Sequence, residues 1–298
     1  MAGTPVPPGG PIGAQPGQAA CARHPDRATG LLCARCERPA CPDCLREAAV
    51  GFQCVDCVTE GARTTRQART VEGATHASTG RRLLVVPVLI VVNLALFALT
   101  AYLGGGVTDR DVFQSGVTQE GALVPYFVAL GEWWRLVTSG FLHLGVTHIG
   151  LNMASLYILG RDLEPVLGRA RFLAVYLLSL LGGSASVYLF EEVVSLTAGA
   201  SGAIYGLMGS LLVVLLRRRL NATPVLAIIA INVFLSFSLP NISILGHLGG
   251  IAVGAAVTAA LVYAPRGPQR VRWQAGAVVA FAVALVVLTA VRTAVLVG

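Results

Sequence analysis

The chain has 298 residues, 55% of them hydrophobic and 12% charged, with a formal net charge of +7. So apolar a composition excludes an ordinary soluble globule and points to a polytopic membrane protein. The basic excess does not argue for nucleic acid, because most of the arginines flank apolar runs, where they orient membrane spans.

Residues 1–20 are rich in Pro, Gly and Ala and contain no Lys or Arg. They lack the charged-then-apolar pattern of a secretory signal and are expected to form a disordered tail. All seven cysteines then fall between Cys21 and Cys57. Their spacing is Cys21-x2-His24, Cys33-x2-Cys36, Cys41-x2-Cys44 and Cys54-x2-Cys57. Eight donors in four pairs are what two tetrahedral zinc sites need. A redox module of CxxC units is the alternative. Residues 21–60 are therefore expected to be a small module in which two zinc ions supply folding energy that so short a segment cannot obtain from a core. Residues 61–82 are polar, include Arg63, Arg66, Arg69, Arg81 and Arg82, and are expected to be a juxtamembrane linker.

Seven apolar runs follow, at about 83–103, 141–160, 171–190, 201–216, 224–239, 244–263 and 274–296. Each is near the ~20 residues that cross ~30 Å of hydrocarbon, the fifth being the shortest. The segment 104–140, with Tyr126, Phe127, Trp133 and Trp134, is expected at the membrane interface, with Arg135 snorkelling there. Arginines before run 1, between runs 2 and 3, after run 4 and between runs 6 and 7 all fall on one side of a seven-span chain. The positive-inside rule makes that side cytoplasmic. The expected location is the plasma membrane, with the N-terminus cytoplasmic and the C-terminus extracytoplasmic.

This topology places His143, His148 and Asn152 of run 2, Ser201 of run 4 and His247 of run 6 at similar depth near the outer surface. Ionisable groups in membrane spans are costly and suggest function. A serine hydroxyl is a weak nucleophile until a base takes its proton, and His247 can be that base. The oxyanion that follows needs donors. His148 and Asn152, four apart on one helical face, and the Ser201 N–H at a helix start can supply them. Tyr205 shares the Ser201 face and can stack on the imidazole. No Asp or Glu follows Glu192, so a Ser…Asp…His triad is impossible and a dyad is expected. Gly202, Gly206 and Ser210 make a small-residue stripe on one helix, and Gly246, Gly250 and Gly254 another, which lets the helices approach closely. Taken singly, each feature has a plainer explanation: a packing motif, an interior histidine, an interhelical hydrogen bond. His143 is expected to brace the 104–140 segment. A transporter would carry its polar groups near the midplane and show inverted repeats, and neither is seen.

These residues resemble the rhomboid intramembrane serine proteases over about 83–263. Trp134-Arg135 is similar to that family's first-loop signature, and His143…His148…Asn152 to its second-helix pattern. Gly199-Ala200-Ser201-Gly202 with Tyr205 is similar to its nucleophile motif, and His247 with Gly250 and Gly254 to its base motif. The resemblance implies an all-α, six-helix core, a Ser201–His247 dyad, an oxyanion site at His148 and Asn152, and cleavage of transmembrane protein substrates near their outer ends. Run 7 looks like the extra C-terminal helix of one subgroup. A non-catalytic rhomboid-like binder of membrane-protein clients is the alternative. The cysteine module resembles a B-box zinc finger, in which pairs one and three hold one ion and pairs two and four the other, although it ends in Cys-Cys rather than a His pair. Its expected roles are docking a protein partner or substrate tail, or simply stabilising the N-terminus.

Overall fold

A computed structural model describes residues 19–64, 83–238 and 242–298. The chain divides into two compact units, Met1–Gln67 and Ala68–Gly298.

In the first unit, β1 (Ala19–Ala20) pairs antiparallel with β2 (Ala28–Thr29), and β3 (Leu45–Glu47) with β4 (Phe52–Cys54). Helix α1 (Val55–Thr64) follows directly. The buried centre consists of six cysteines together with Ala40 and Leu45. Sulfur, not hydrocarbon, fills this unit. The expected module begins two residues earlier than residue 21, because β1 takes Ala19 and Ala20 from the expected tail. It also ends later, because α1 takes residues 61–64 from the expected linker. Residues 1–18 and 65–82, on which the rest of those two expectations fall, lie outside the described residues.

In the second unit, seven helices of 16 or more residues stand among the described residues. They are α2 (Val85–Gly104), α7 (Val146–Leu167), α8 (Arg169–Phe190), α9 (Ser201–Arg218), α10 (Thr223–Ser238), α11 (Ile244–Val262) and α12 (Arg270–Val297). Between α2 and α7 lie four short helices: α3 (Asp109–Gln114), α4 (Gly116–Gly121), α5 (Pro125–Ala129) and α6 (Arg135–Thr138). Each expected apolar run is helical over most of its described residues. By length and composition, α2, α8, α11 and α12 can cross a membrane. A fifth span results if residues 135–141 and α7, bent by 91° at their junction, count as one. Helices α9 and α10 are shorter; the 16 residues of α10 reach only about 24 Å at the usual rise, less than the hydrocarbon thickness.

The largest departure from expectation is α7. It begins at Val146 rather than near 141, because Gly145 sits at φ 82° after a 3-10 turn over Ser139–Phe141. It then continues to Leu167, past Arg161, Asp162 and Glu164. Glu164 is buried and explains the extension. Its carboxylate accepts the backbone N–H of Leu84 (2.8 Å), Val85 (3.1 Å) and Val86 (2.9 Å). A helix start leaves its first amides without intrahelical acceptors. In α2 three of these go to one anion, where the helix dipole favours negative charge, and the next residue, Pro87, has no N–H to satisfy.

Helix α8 runs through the centre of this unit, with Phe172, Val175, Tyr176 and Tyr188 fully buried. Helix α12 is tied to it at both ends. Arg171 Nε donates to Gln274 Oε1 (2.9 Å), Gln274 Nε2 donates to the Leu261 carbonyl (2.7 Å), and the Tyr188 and Thr293 hydroxyls are 2.7 Å apart.

Candidate active site and zinc clusters

Helices α8, α9 and α11 meet through glycine. A Cβ on Gly250 would stand 2.0 Å from the Gly202 carbonyl oxygen, and one on Gly254 would stand 2.3 Å from that of Gly206. A Cβ on Gly183 would lie 2.7 Å from the Gly246 carbonyl oxygen and 3.3 Å from Gly202 Cα. The two small-residue stripes therefore face each other across α9 and α11, and Thr258 Oγ1 donates to Ser210 Oγ (2.8 Å) to extend the seam. Backbone contact of this kind lets a short serine side chain reach a neighbouring helix.

At the top of the seam, Ser201 is the first residue of α9, and His247 lies in the first turn of α11. His247 Nε2 is 2.8 Å from Ser201 Oγ. The Tyr205 ring stacks on the imidazole, with centroids 3.8 Å apart and planes at 13°. On the other side of the ring, His247 Nδ1 is 2.7 Å from the hydroxyl of Ser236, a buried residue of α10. Sequence reasoning passed over Ser236. It was one of three hydroxyl residues in an apolar helix, and only the crossing of α10 over α11 brings it to the ring.

His148 and Asn152 of α7 line the same cavity of about 940 Å³ as Ser201 and His247. The Leu144 N–H donates to His148 Nδ1 (3.3 Å). An Nδ1 that accepts leaves the ring proton on Nε2. That nitrogen points at the loop before Ser201, where a Cβ on Gly199 would be 2.7 Å away. Gly199, at φ 136°, therefore needs its missing side chain on both steric and conformational grounds. Asn152 donates one amide hydrogen to the His148 carbonyl (2.9 Å) and keeps the second for another acceptor.

His143 lies beside the serine loop, and Arg135 stands differently from expectation. His143 is buried, lies edge-on to His148 with centroids 5.1 Å apart, and its Nε2 is 3.5 Å from the Ala200 N–H. It thus meets the loop that delivers Ser201. Arg135 does not snorkel. Only 4% exposed, it donates to Glu132 (2.6 Å) and to the carbonyls of Gln119 (2.7 Å) and Ala122 (2.8 Å), with its guanidinium over the Phe127 ring. A planar donor fork can satisfy several acceptors at once, so Arg135 gathers the short helices into one body. That body is joined to the serine loop by a Leu123–Thr197 bridge and by the Gly199 N–H donating to the Ser139 carbonyl (2.9 Å).

In the first unit the eight expected donors fall into two clusters, Cys21/His24/Cys41/Cys44 and Cys33/Cys36/Cys54/Cys57, each with all ligand atoms within 4.8 Å of one another. Pairs one and three, and pairs two and four, come together. Zinc–sulfur bonds of about 2.3 Å in a tetrahedron require sulfurs about 3.8 Å apart, and Cys36 and Cys54 Sγ are 3.8 Å apart. His24 Nδ1 lies 3.4 and 3.3 Å from the Cys41 and Cys44 sulfurs. The electrostatics agree with this donor set. Backbone N–H groups, Cys41's foremost, draw the Cys21 thiol down to about 6, and Cys54's does the same for Cys33, also to about 6. Burial and the adjacent sulfurs push Cys44 up to about 11, while the Cys36 sulfur and burial push Cys57 up to about 12. Several thiolates in so small a volume repel one another until a divalent, sulfur-seeking cation joins them.

The geometry defines a class first: a multi-pass helical membrane protein with a paired serine and histidine opening on an internal cavity. Comparison with known proteins narrows it. The Rhomboid domain matches residues 130–264. "Rhomboid protease GluP" of Bacillus subtilis (strain 168) is 36% identical over 177 residues, which is 58% of this chain and 34% of that protein. "Putative rhomboid protease YdcA" of the same organism is 41% identical over 132 residues, 43% of this chain and 66% of that protein. "RHOMBOID-like protein 1" of Arabidopsis thaliana is 35% identical over 199 residues, 57% and 51% of the two chains. Residues 130–264 thus carry a Rhomboid domain, and the chain is similar to rhomboid proteases over that region. It spans between 34% and 66% of the length of these relatives.

Proposed function

We propose that this chain is an intramembrane serine endopeptidase that cleaves transmembrane proteins in or near their membrane segments. The observation that carries this reading is the 2.8 Å approach of His247 Nε2 to Ser201 Oγ at the wall of a cavity of about 940 Å³. Ser201 Oγ attacks the substrate carbonyl carbon as its proton passes to His247 Nε2. The oxyanion is held by the His148 Nε2–H, the free amide hydrogen of Asn152 and the Ser201 N–H. His247 then gives the proton to the leaving amine, and an acyl bond to Ser201 remains. Water activated by the same imidazole hydrolyses it. Two protein relatives bearing the words "rhomboid protease" support the same chemistry here.

In this reading all seven long helices cross the bilayer, which thins locally around the shorter α9 and α10, with the N-terminus cytoplasmic and the C-terminus on the other side. That topology rests on the distribution of arginine, and the membrane is the plasma membrane. The cysteine clusters hold two structural zinc ions. Zinc there would fix the fold of residues 19–64 and supply no chemistry to proteolysis. A cytoplasmic position keeps the thiols reduced for it.

The test compares wild type with Ser201→Ala and His247→Ala, each purified and incubated with a model transmembrane substrate. Both variants are expected to lose cleavage. Persistent proteolysis by Ser201→Ala removes the proposal.

A further inference from the structure

The proposed dyad lacks an acidic third member, yet a general base needs its proton on the far nitrogen. We propose that Ser236 of α10 is a positioning residue that fixes His247 in the Nδ1–H tautomer, leaving Nε2 free to take the Ser201 proton; this rests on the reading of Ser201 and His247 as nucleophile and base.

The argument is an account of hydrogens. Three polar groups meet at one spot: His247 Nδ1, the Ser236 hydroxyl and the Tyr205 hydroxyl. Ser236 Oγ is 2.7 Å from the Asn232 carbonyl oxygen, 2.7 Å from His247 Nδ1 and 2.8 Å from Tyr205 Oη. A carbonyl oxygen only accepts, and that of Asn232 is also met by Tyr205 Oη at 3.0 Å. The four short contacts share the Ser236 and Tyr205 hydrogens, and only a third hydrogen on His247 Nδ1 leaves no more than one of them without a proton. The Ser236 proton then lies on its 2.7 Å line to Asn232, and the Tyr205 proton faces both Ser236 Oγ and that carbonyl. Ser236 Oγ can then only accept from its other two neighbours, and it has two lone pairs with which to do so. One takes the Tyr205 O–H. The other takes a proton carried by His247 Nδ1. With Nδ1 as the donor, Nε2 presents its lone pair to the Ser201 O–H at 2.8 Å. The bond made by one ring nitrogen decides the state of the other.

The same contact persists through the reaction. When His247 gains the Ser201 proton, its Nδ1–H still points at Ser236 Oγ, and the charged ring strengthens that bond. No proton passes to Ser236, whose own hydrogen stays on the Asn232 carbonyl. Tyr205 serves the ring twice, by stacking and by occupying the second lone pair. Ser236 is 3% exposed and His247 8% exposed, so bulk solvent does not compete for Nδ1.

The test uses the full chain in detergent or liposomes, a model transmembrane substrate, and four variants at position 236. Ser236→Ala is expected to lower kcat about 10–100-fold with KM within about twofold, because the lost bond is one made to a charged ring. Ser236→Thr and Ser236→Val add nearly the same bulk and differ in the hydroxyl. Thr is expected to restore most of the rate, and Val to match Ala. Ser236→Gly controls for lost packing and is expected to match Ala in kcat. A second readout is the 15N spectrum of His247: protonated Nδ1 in wild type and Thr, and a shift toward protonated Nε2 in Ala and Val. Equal rates for Thr and Val, at any level, overturn the proposal, as does a wild-type kcat or unchanged tautomer in Ser236→Ala. Ser201→Ala is run alongside. Cleavage surviving there condemns the nucleophile assignment, whereas cleavage lost there and kept in Ser236→Ala condemns only the role of Ser236.

Discussion

Replacing Gly250 with alanine tests whether backbone contact sets the reactive distance. The new Cβ would lie 2.0 Å from the Gly202 carbonyl oxygen, whereas ordinary contact begins at 3.4 Å. A backbone carbonyl inside a helix cannot swing aside, so α9 and α11 must part by about 1.4 Å there, with the rest of the seam following. Ser201 adjoins Gly202, and His247 lies one residue short of a turn before Gly250. If the parting reaches that pair, their 2.8 Å separation opens to about 4.2 Å, beyond any hydrogen bond. Misplacement of about 1 Å can cost about 100-fold in rate, and a general base contributes about 10²–10⁴-fold. Cleavage should therefore fall at least about 100-fold, with overpacking costing about 1–3 kcal/mol of stability. Initial rates against a fluorescent transmembrane substrate measure the first quantity, and thermal unfolding in detergent the second. Gly276→Ala, where a Cβ meets nothing within 4 Å, is the control and should cleave normally. A folded Gly250→Ala enzyme with wild-type rate would refute the idea that the glycine seam sets the geometry.

Glu164→Ala strips three amides of their acceptor. Only Val86 among the three is fully buried, Leu84 and Val85 being open to other acceptors. At about 1–3 kcal/mol for a buried unmet donor, the loss should therefore be about 1–3 kcal/mol, read as a lower unfolding temperature with Arg161→Ala as a surface comparison. His148→Ala removes an oxyanion donor and should lower kcat about 10²–10³-fold with little change in KM; a normal kcat would exclude it from the site. Metal analysis of the whole protein should give close to two zinc ions per chain, and Cys33→Ser close to one, while a single ion in wild type would break the two-cluster assignment. Zinc retention should hold at pH 7. Cys21 and Cys33 ionise at about 6 against an ordinary 9.0, so their thiolate forms favour the folded module above that ordinary value and lose the advantage as pH falls through about 6. Release on acidification should therefore come only below about pH 6, and zinc lost already at pH 8 would contradict this.

The helical framework was legible because each long apolar run had to be a helix: a buried backbone in hydrocarbon must satisfy itself. Where the runs end was less legible. The α7 boundary depended on Glu164, and its charge argued for a helix end because sequence does not reveal the three amides it meets. The same blind spot hid the burial of Arg135, whose carbonyl partners carry no side-chain signature. The proposed reactive pair, Ser201 and His247, was visible because motif spacing and depth coincide. Ser236 was not, since its partner lies across a helix crossing that no local pattern records. The count of eight donors for two sites could be read from spacing, but their pairing was implied only by the resemblance to a B-box zinc finger, because four pairs can join two by two in three ways.

The Glu164 cap also bears on how the chain assembles. During synthesis α2 emerges some eighty residues ahead of the carboxylate that closes its first turn. Until α7 arrives, those amides must be met by water or lipid headgroups, so the first hydrophobic helix enters the bilayer with an open end. An N-terminal fragment that stops short of residue 164 should insert yet leave that end frayed, and the order of emergence from the ribosome, rather than helix propensity, then decides when the first helix becomes a settled part of the bundle.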